Sequence, residues 1–216
     1  MLTMFKGGLC MLMLSALSVN AQSTLLSDLL QGAPNQSDPY ALLFIGIREN
    51  SNHATGKKAN TGEWQKGLLV DLEDQLYEVD MRFFPEKGKL FVLLDGTSYQ
   101  VYPDKIRGLR IDGQTYVPAY YYSRSGEKLV GFFALLSEGQ VNLLRQVESG
   151  AFSLGDQFYL QEPNETAVPV KGGTRKLLEQ LPEQRLQLEE FLEANKLNLK
   201  KEKDLIRLID YCNSLP

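Results

Sequence analysis

The chain has 216 residues, 43% hydrophobic and 23% charged, a balance that suits a globular protein with a buried core and excludes disorder along its whole length. Acidic residues outnumber basic ones, 27 to 23. That excess argues against a nucleic-acid binder, because neutralising phosphates takes a clustered surplus of Lys and Arg.

The first 21 residues read as a cleaved secretory signal. Lys6 supplies a short positive region, "LCMLMLSALSV" is apolar but too short to cross a bilayer, and small residues precede a cut after Ala21. Cys10 follows "GGL", where a lipid-anchored chain needs a small residue, so lipidation is not expected. Cleavage removes Lys6 and makes the mature chain more acidic. It also leaves Cys212 as the sole cysteine, so no internal disulfide can form and the core must carry the stability. No later apolar run is long enough for a membrane-spanning helix.

Residues 22–61 form an N-terminal segment and loop. Leu25, Leu26, Leu29 and Leu30 fall on one face of a short helix that Gly32 stops. "YALLFIGI" (40–47) is an apolar strand candidate, and "RENSNHATGKKANTGEW" has no period and reads as an exposed loop.

Residues 62–170 form the β domain. "LYEVDMRFF" alternates, with Tyr77, Val79, Met81 and Phe83 on one side and Glu78, Asp80 and Arg82 on the other, the mark of a half-buried strand. "LFVLL", "TSYQVY", "IRGLRI", "TYVPAYYY", "KLVGFFALL", "VNLLRQV", "DQFYLQE" and "TAVPV" continue the series. "DG" pairs at Asp95–Gly96 and Asp112–Gly113 mark hairpin turns. Pro118 and Gly131 interrupt their strands and suggest bulges or edge positions. Strands joined by tight turns, without helices between them, predict an antiparallel meander of about eight to ten strands, either an open curved sheet or a partial barrel.

Residues 171–216 form a helical C-terminal element, opened by "KGG". Leu177, Leu178 and Leu181 begin a helix that Pro182 interrupts. Leu188, Phe191 and Leu192 extend the stripe, with Asn195 as a C-cap candidate. In the last helix Leu205, Leu208, Ile209 and Cys212 recur at i, i+3, i+4 and i+7. Acids interleave with the lysines on the opposite face, unlike a membrane-surface helix. Packing on the chain's own sheet is expected, at about 1.5–3 kcal/mol for each large apolar side chain buried. The fold class is therefore α+β, an antiparallel β-meander with a C-terminal helical element packed on it.

The tail "DLIRLIDYCN" resembles the C-terminus of a loosely defined set of uncharacterised secreted proteins of Bacteroidetes-type bacteria. These combine a signal ending in "AQ", a β-strand region and a lysine-rich helical end with a "DLIxLxxYxN" close. Asp204, Leu205, Ile206, Leu208, Tyr211 and Asn213 carry the match, and "LRIDGQTYVP" and "LLSEGQVNLL" look like the strand region. The likeness covers about the last two-thirds of the chain. It implies export in a two-membrane bacterium and assigns no catalytic residue. Cys212 stands where that set often has an aromatic residue.

Chemistry-bearing clusters are scarce. The sole His, His53, lies in a polar stretch without a "GxSxG" elbow, and no "DxDxDG" loop occurs, so no metal or cofactor is expected. Glu78 and Asp80 share a strand face, a spacing that a carboxylate hydrolase tolerates and that any solvated sheet face also produces. Tyr116, Tyr120 and Tyr122 share one face of "TYVPAYYY" and form the binding candidate, each with an apolar body and a hydrogen-bonding tip. The expected function is that of a non-catalytic binding or structural module, exported to the periplasm or beyond, with an envelope protein or glycan as partner. A carboxylate-dependent hydrolase of an envelope polymer and a carrier of a small apolar ligand are the alternatives.

Overall fold

The computed structural model describes residues 26, 30, 31, 48–49, 63–123, 125–146 and 157–216. Among the described residues eleven strands form one antiparallel sheet: β1 (Arg48–Glu49), β2 (Gln65–Asp71), β3 (Leu76–Phe84), β4 (Lys89–Leu94), β5 (Thr97–Val101), β6 (Ile106–Ile111), β7 (Gln114–Tyr122), β8 (Lys128–Ser137), β9 (Asn142–Gln146), β10 (Gln157–Gln161) and β11 (Val168–Pro169). Helices α1 (Thr174–Leu178), α2 (Arg185–Asn195) and α3 (Glu202–Ser214) follow. The proposed strand at 40–47 and His53 lie outside the described residues. Arg48 and Glu49, expected in a loop, pair instead with Gln100 and Tyr99 of β5.

The sheet is open, and its order is β1-β5-β4-β3-β2-β6-β7-β8-β9-β10-β11. It consists of two meanders joined where β6 returns to pair with β2. Only the 3-10 turn Pro103–Lys105 and its flanking residues link β5 to β6. A flat sheet would set those strands about 19 Å apart, at roughly 4.8 Å per strand, which a turn rising about 2 Å per residue cannot span. The first meander must therefore roll up, and its ring contacts show that it does. Phe83 of β3 meets Phe132 of β8 with centroids 5.1 Å apart and Tyr116 of β7 at 4.7 Å. The rolled face encloses Leu69, Val79, Met81, Leu90, Val92 and Leu109.

The second meander curls the opposite way. Ala167 donates its backbone N–H to Tyr120 O at 2.7 Å and bridges Tyr121, bringing the end of the sheet back to β7. Tyr121, Phe133 and Tyr159 form a ring cluster in the interior so made. Phe132 and Phe133, adjacent in β8 and both buried, thus enter different cores. Leu26 and Leu30 complete the second core. They are joined by a helical hydrogen bond at 3.0 Å, and Leu26 N–H donates to Glu138 Oε1 at 2.6 Å. Both sit where the leucine stripe placed a buried face.

Pro118 and Gly131 are not bulges. Pro118 faces Phe132 and Ala119 faces Gly131 in unbroken register. The β6–β7 ladder ends at Tyr116, so the N–H that Pro118 lacks costs no bond there. A Cβ on Gly131 would press the Tyr121 ring at 3.3 Å, which accounts for the glycine. The actual irregularities lie between Val70 and Asp71 and between Leu135 and Ser137.

The three helices cover the outer face of the second meander, where Leu143 and Leu160 join Leu177, Leu188, Leu205, Leu208 and Ile209 in a third core. Three polar or aromatic residues of the last helix fasten it. Asp204 accepts the Asn198 N–H at 3.0 Å and holds the α2–α3 loop. Tyr211 stacks on Phe191 at 4.0 Å. Asn213 accepts from Val141 N–H and donates to Val141 O, both at 2.9 Å, clamping the β8–β9 turn like a neighbouring strand. The left-handed residue ending α2 is Lys196, at φ 50°, rather than Asn195, whose side chain bonds back to Phe191 O. Cys212 is buried among these leucines, and burial pushes its thiol pKa up.

Candidate ligand-binding cleft

β7 outlasts its neighbour β6, and this decides where its tyrosines go. Tyr116, still within the ladder, packs on the first core. Burial raises its phenol pKa, opposed by Arg145 and reinforced by Asp112. Tyr120 emerges 47% exposed, with the Lys128 ammonium 4.9 Å from its ring, beside a recess of about 350 Å³ that it shares with Leu72, Pro118 and Val130. Tyr122 is 57% exposed and lines a different and larger cleft. The three share a strand face, as the alternation requires, yet occupy three separate environments.

The larger cleft, of about 1050 Å³, opens where the ends of β7, β9 and β10 meet β11 and the α2–α3 loop. Tyr121, Tyr122 and Phe158 supply ring faces, and Val170, Leu199 and Leu205 supply aliphatic wall. Gln146 and Gln157 stand directly opposite each other across β9 and β10. The Tyr159 hydroxyl donates toward both amide oxygens, at 2.9 Å to Gln146 and 3.1 Å to Gln157. The phenol carries one proton, which serves either amide oxygen in turn. Ser123 and Lys200 complete the polar lining, and among the described residues that line the cleft none is acidic. A smaller recess of about 430 Å³ continues it beneath Asn198 and Leu177.

Glu78 and Asp80 lie elsewhere, on the outer face of β3, each within salt-bridge reach of Lys66 at 3.5 and 3.7 Å. Arg82, their neighbour on that face, rests on the Trp64 ring at 4.5 Å. Among the described residues no group of three or more His, Cys, Asp or Glu is placed to hold a metal ion, and no helix is long and apolar enough to cross a membrane.

The sequence pattern indicated Tyr122 but missed Tyr121, Tyr159, the glutamine pair and Lys200. A glutamine at a strand end reads as ordinary surface, and only the register of β9 on β10 reveals that two of them face each other. No family model matches the chain, and no curated protein and no solved structure matches it.

Proposed function

We propose that the protein is an exported envelope protein, periplasmic or extracellular, acting as a non-catalytic binding module with the β7–β9–β10 cleft as its ligand site. The observation that carries this reading is the composition of the cleft wall. Ring faces and amides sit on the ends of strands, and the described lining offers no carboxylate. Export rests on the Lys6 region, the apolar run and the small-residue cut at Ala21.

Two measurements test it. Mass spectrometry of the protein recovered from its host should find a chain beginning at Gln22, and one still carrying residues 1–21 refutes export. Mature protein incubated with a washed envelope fraction should sediment with it, and Tyr122→Ala should release it without generating soluble fragments in either case. Equal retention of the variant removes the cleft from the function. Release of fragments by the wild type makes the protein a hydrolase instead.

A further inference from the structure

The cleft's hydrogen-bonding capacity is one-sided. A planar amide whose oxygen is held by Tyr159 offers a ligand its NH2 group. Gln146 and Gln157 therefore present paired donors, and Lys200 adds an ammonium. Among the described lining residues Lys200 is the one charged group, so a cationic ligand meets repulsion there. A wholly apolar ligand would strip water from two amides and return no hydrogen bond.

Part of the backbone edge beside this mouth is already paired. Strand addition needs free edge groups. Here the Phe158 carbonyl accepts Val170 N–H at 2.8 Å, and the Tyr120 carbonyl accepts Ala167 N–H at 2.7 Å. The side chains of the wall offer rings that stack on a flat, partly apolar ligand and amides that seek carbonyl oxygens.

Resting on the cleft as the binding site, we propose that its ligand is an oligosaccharide of 2-acetamido sugars, with acetamido carbonyls taken by the amide nitrogens of Gln146 and Gln157 and a sugar face lying on Tyr122. The hydrogen-bearing face of a pyranose ring matches the exposed phenol ring, and the acetamido group supplies the acceptor that the paired donors lack.

Titration calorimetry with three tetrasaccharides tests this: the β-1,4-linked N-acetylglucosamine tetramer, its fully deacetylated form and cellotetraose. The acetylated tetramer should bind at least tenfold more tightly than either of the others. Gln157→Glu keeps an oxygen for Tyr159 but exchanges the NH2 donor for a carboxylate. It should weaken the acetylated tetramer at least tenfold and strengthen the deacetylated one, with an unchanged melting temperature showing that the fold survives. Equal binding of cellotetraose, or unchanged affinity in Gln157→Glu, overturns the carbonyl assignment. If no tetramer binds while Tyr122→Ala still abolishes envelope retention, the sugar assignment falls and the binding-module reading stands. Should retention be indifferent to Tyr122, that reading falls first.

Discussion

Asn213 offers the sharpest test of how the helical tail is fastened. Its side chain closes two 2.9 Å hydrogen bonds on Val141 and approaches Ser137 Oγ at 3.4 Å, and Ser137 in turn donates to Asp210 at 2.6 Å. Removing two good bonds to a partly buried backbone at about 1 kcal/mol each makes Asn213→Ala about 2 kcal/mol less stable, a fall in Tm of about 4–8 °C for a chain of this size. Gly139 lies directly beneath. A Cβ added there would collide with Asn213 Cγ and stand 2.7 Å from its Nδ2 and 2.8 Å from its Cβ. Gly139→Ala should therefore cost about 1–3 kcal/mol in the natural chain. In Asn213→Ala two of those three atoms are gone, so the same glycine substitution should cost less than half as much. Urea unfolding of the four proteins measures the coupling directly. Additive losses, or an Asn213→Ala protein within about 0.5 kcal/mol of the natural one, would show that the tail is not held at this clamp.

Three further outcomes follow from the same packing. A chain ended at Lys171 exposes Leu143 and Leu160, now buried beneath the helices, and should be insoluble or unfolded; a soluble product with unchanged melting would make the helices a separate device. Burial, then the hydrogen bond to Asp71 at 2.9 Å, push the Tyr77 phenol from 10.0 up to about 12. The folded chain keeps that proton where the unfolded chain has lost it, so its contribution is full below pH 10 and is lost as pH rises to about 12. Stability across that window should fall less steeply in Tyr77→Phe, and an equal slope refutes the assignment. Tyr122→Ala should leave unfolding within about 0.5 kcal/mol of the natural protein, because the ring is 57% exposed, and a larger loss would make it a structural residue.

The strands were largely legible because most have one wet and one dry face. Leu76–Phe84 shows the alternation in full, and its odd-numbered side chains fill the first core. The last helix was legible for the same reason at the other period, with Leu205, Leu208, Ile209 and Cys212 all buried. The return of β6 to β2 left no trace in the pattern. Hairpin partners are announced by turns such as Asp112–Gly113, but a strand that pairs four places away in order carries no local mark. "GFFALL" is one of several wholly apolar runs, and the pattern did not distinguish it from "LFVLL", whose strand is buried on one face. Burial on both faces, as at Phe132 and Phe133, emerges only from the structure.

That double burial also explains why the cleft lies at the end of β7. A sheet that curls toward one face and then toward the other must contain a strand belonging to both curves. Along β7 Tyr116 faces the first interior and Tyr121 the second. At the reversal neither interior can stay closed. The β6 partnership stops at Tyr116, and closure by Ala167 reaches only Tyr120 and Tyr121. Tyr122 and Ser123 are left beyond both closures, beside the paired amides of β9 and β10. The opening follows from the topology, while its chemistry rests on the few side chains at the strand ends, which the sheet does not constrain.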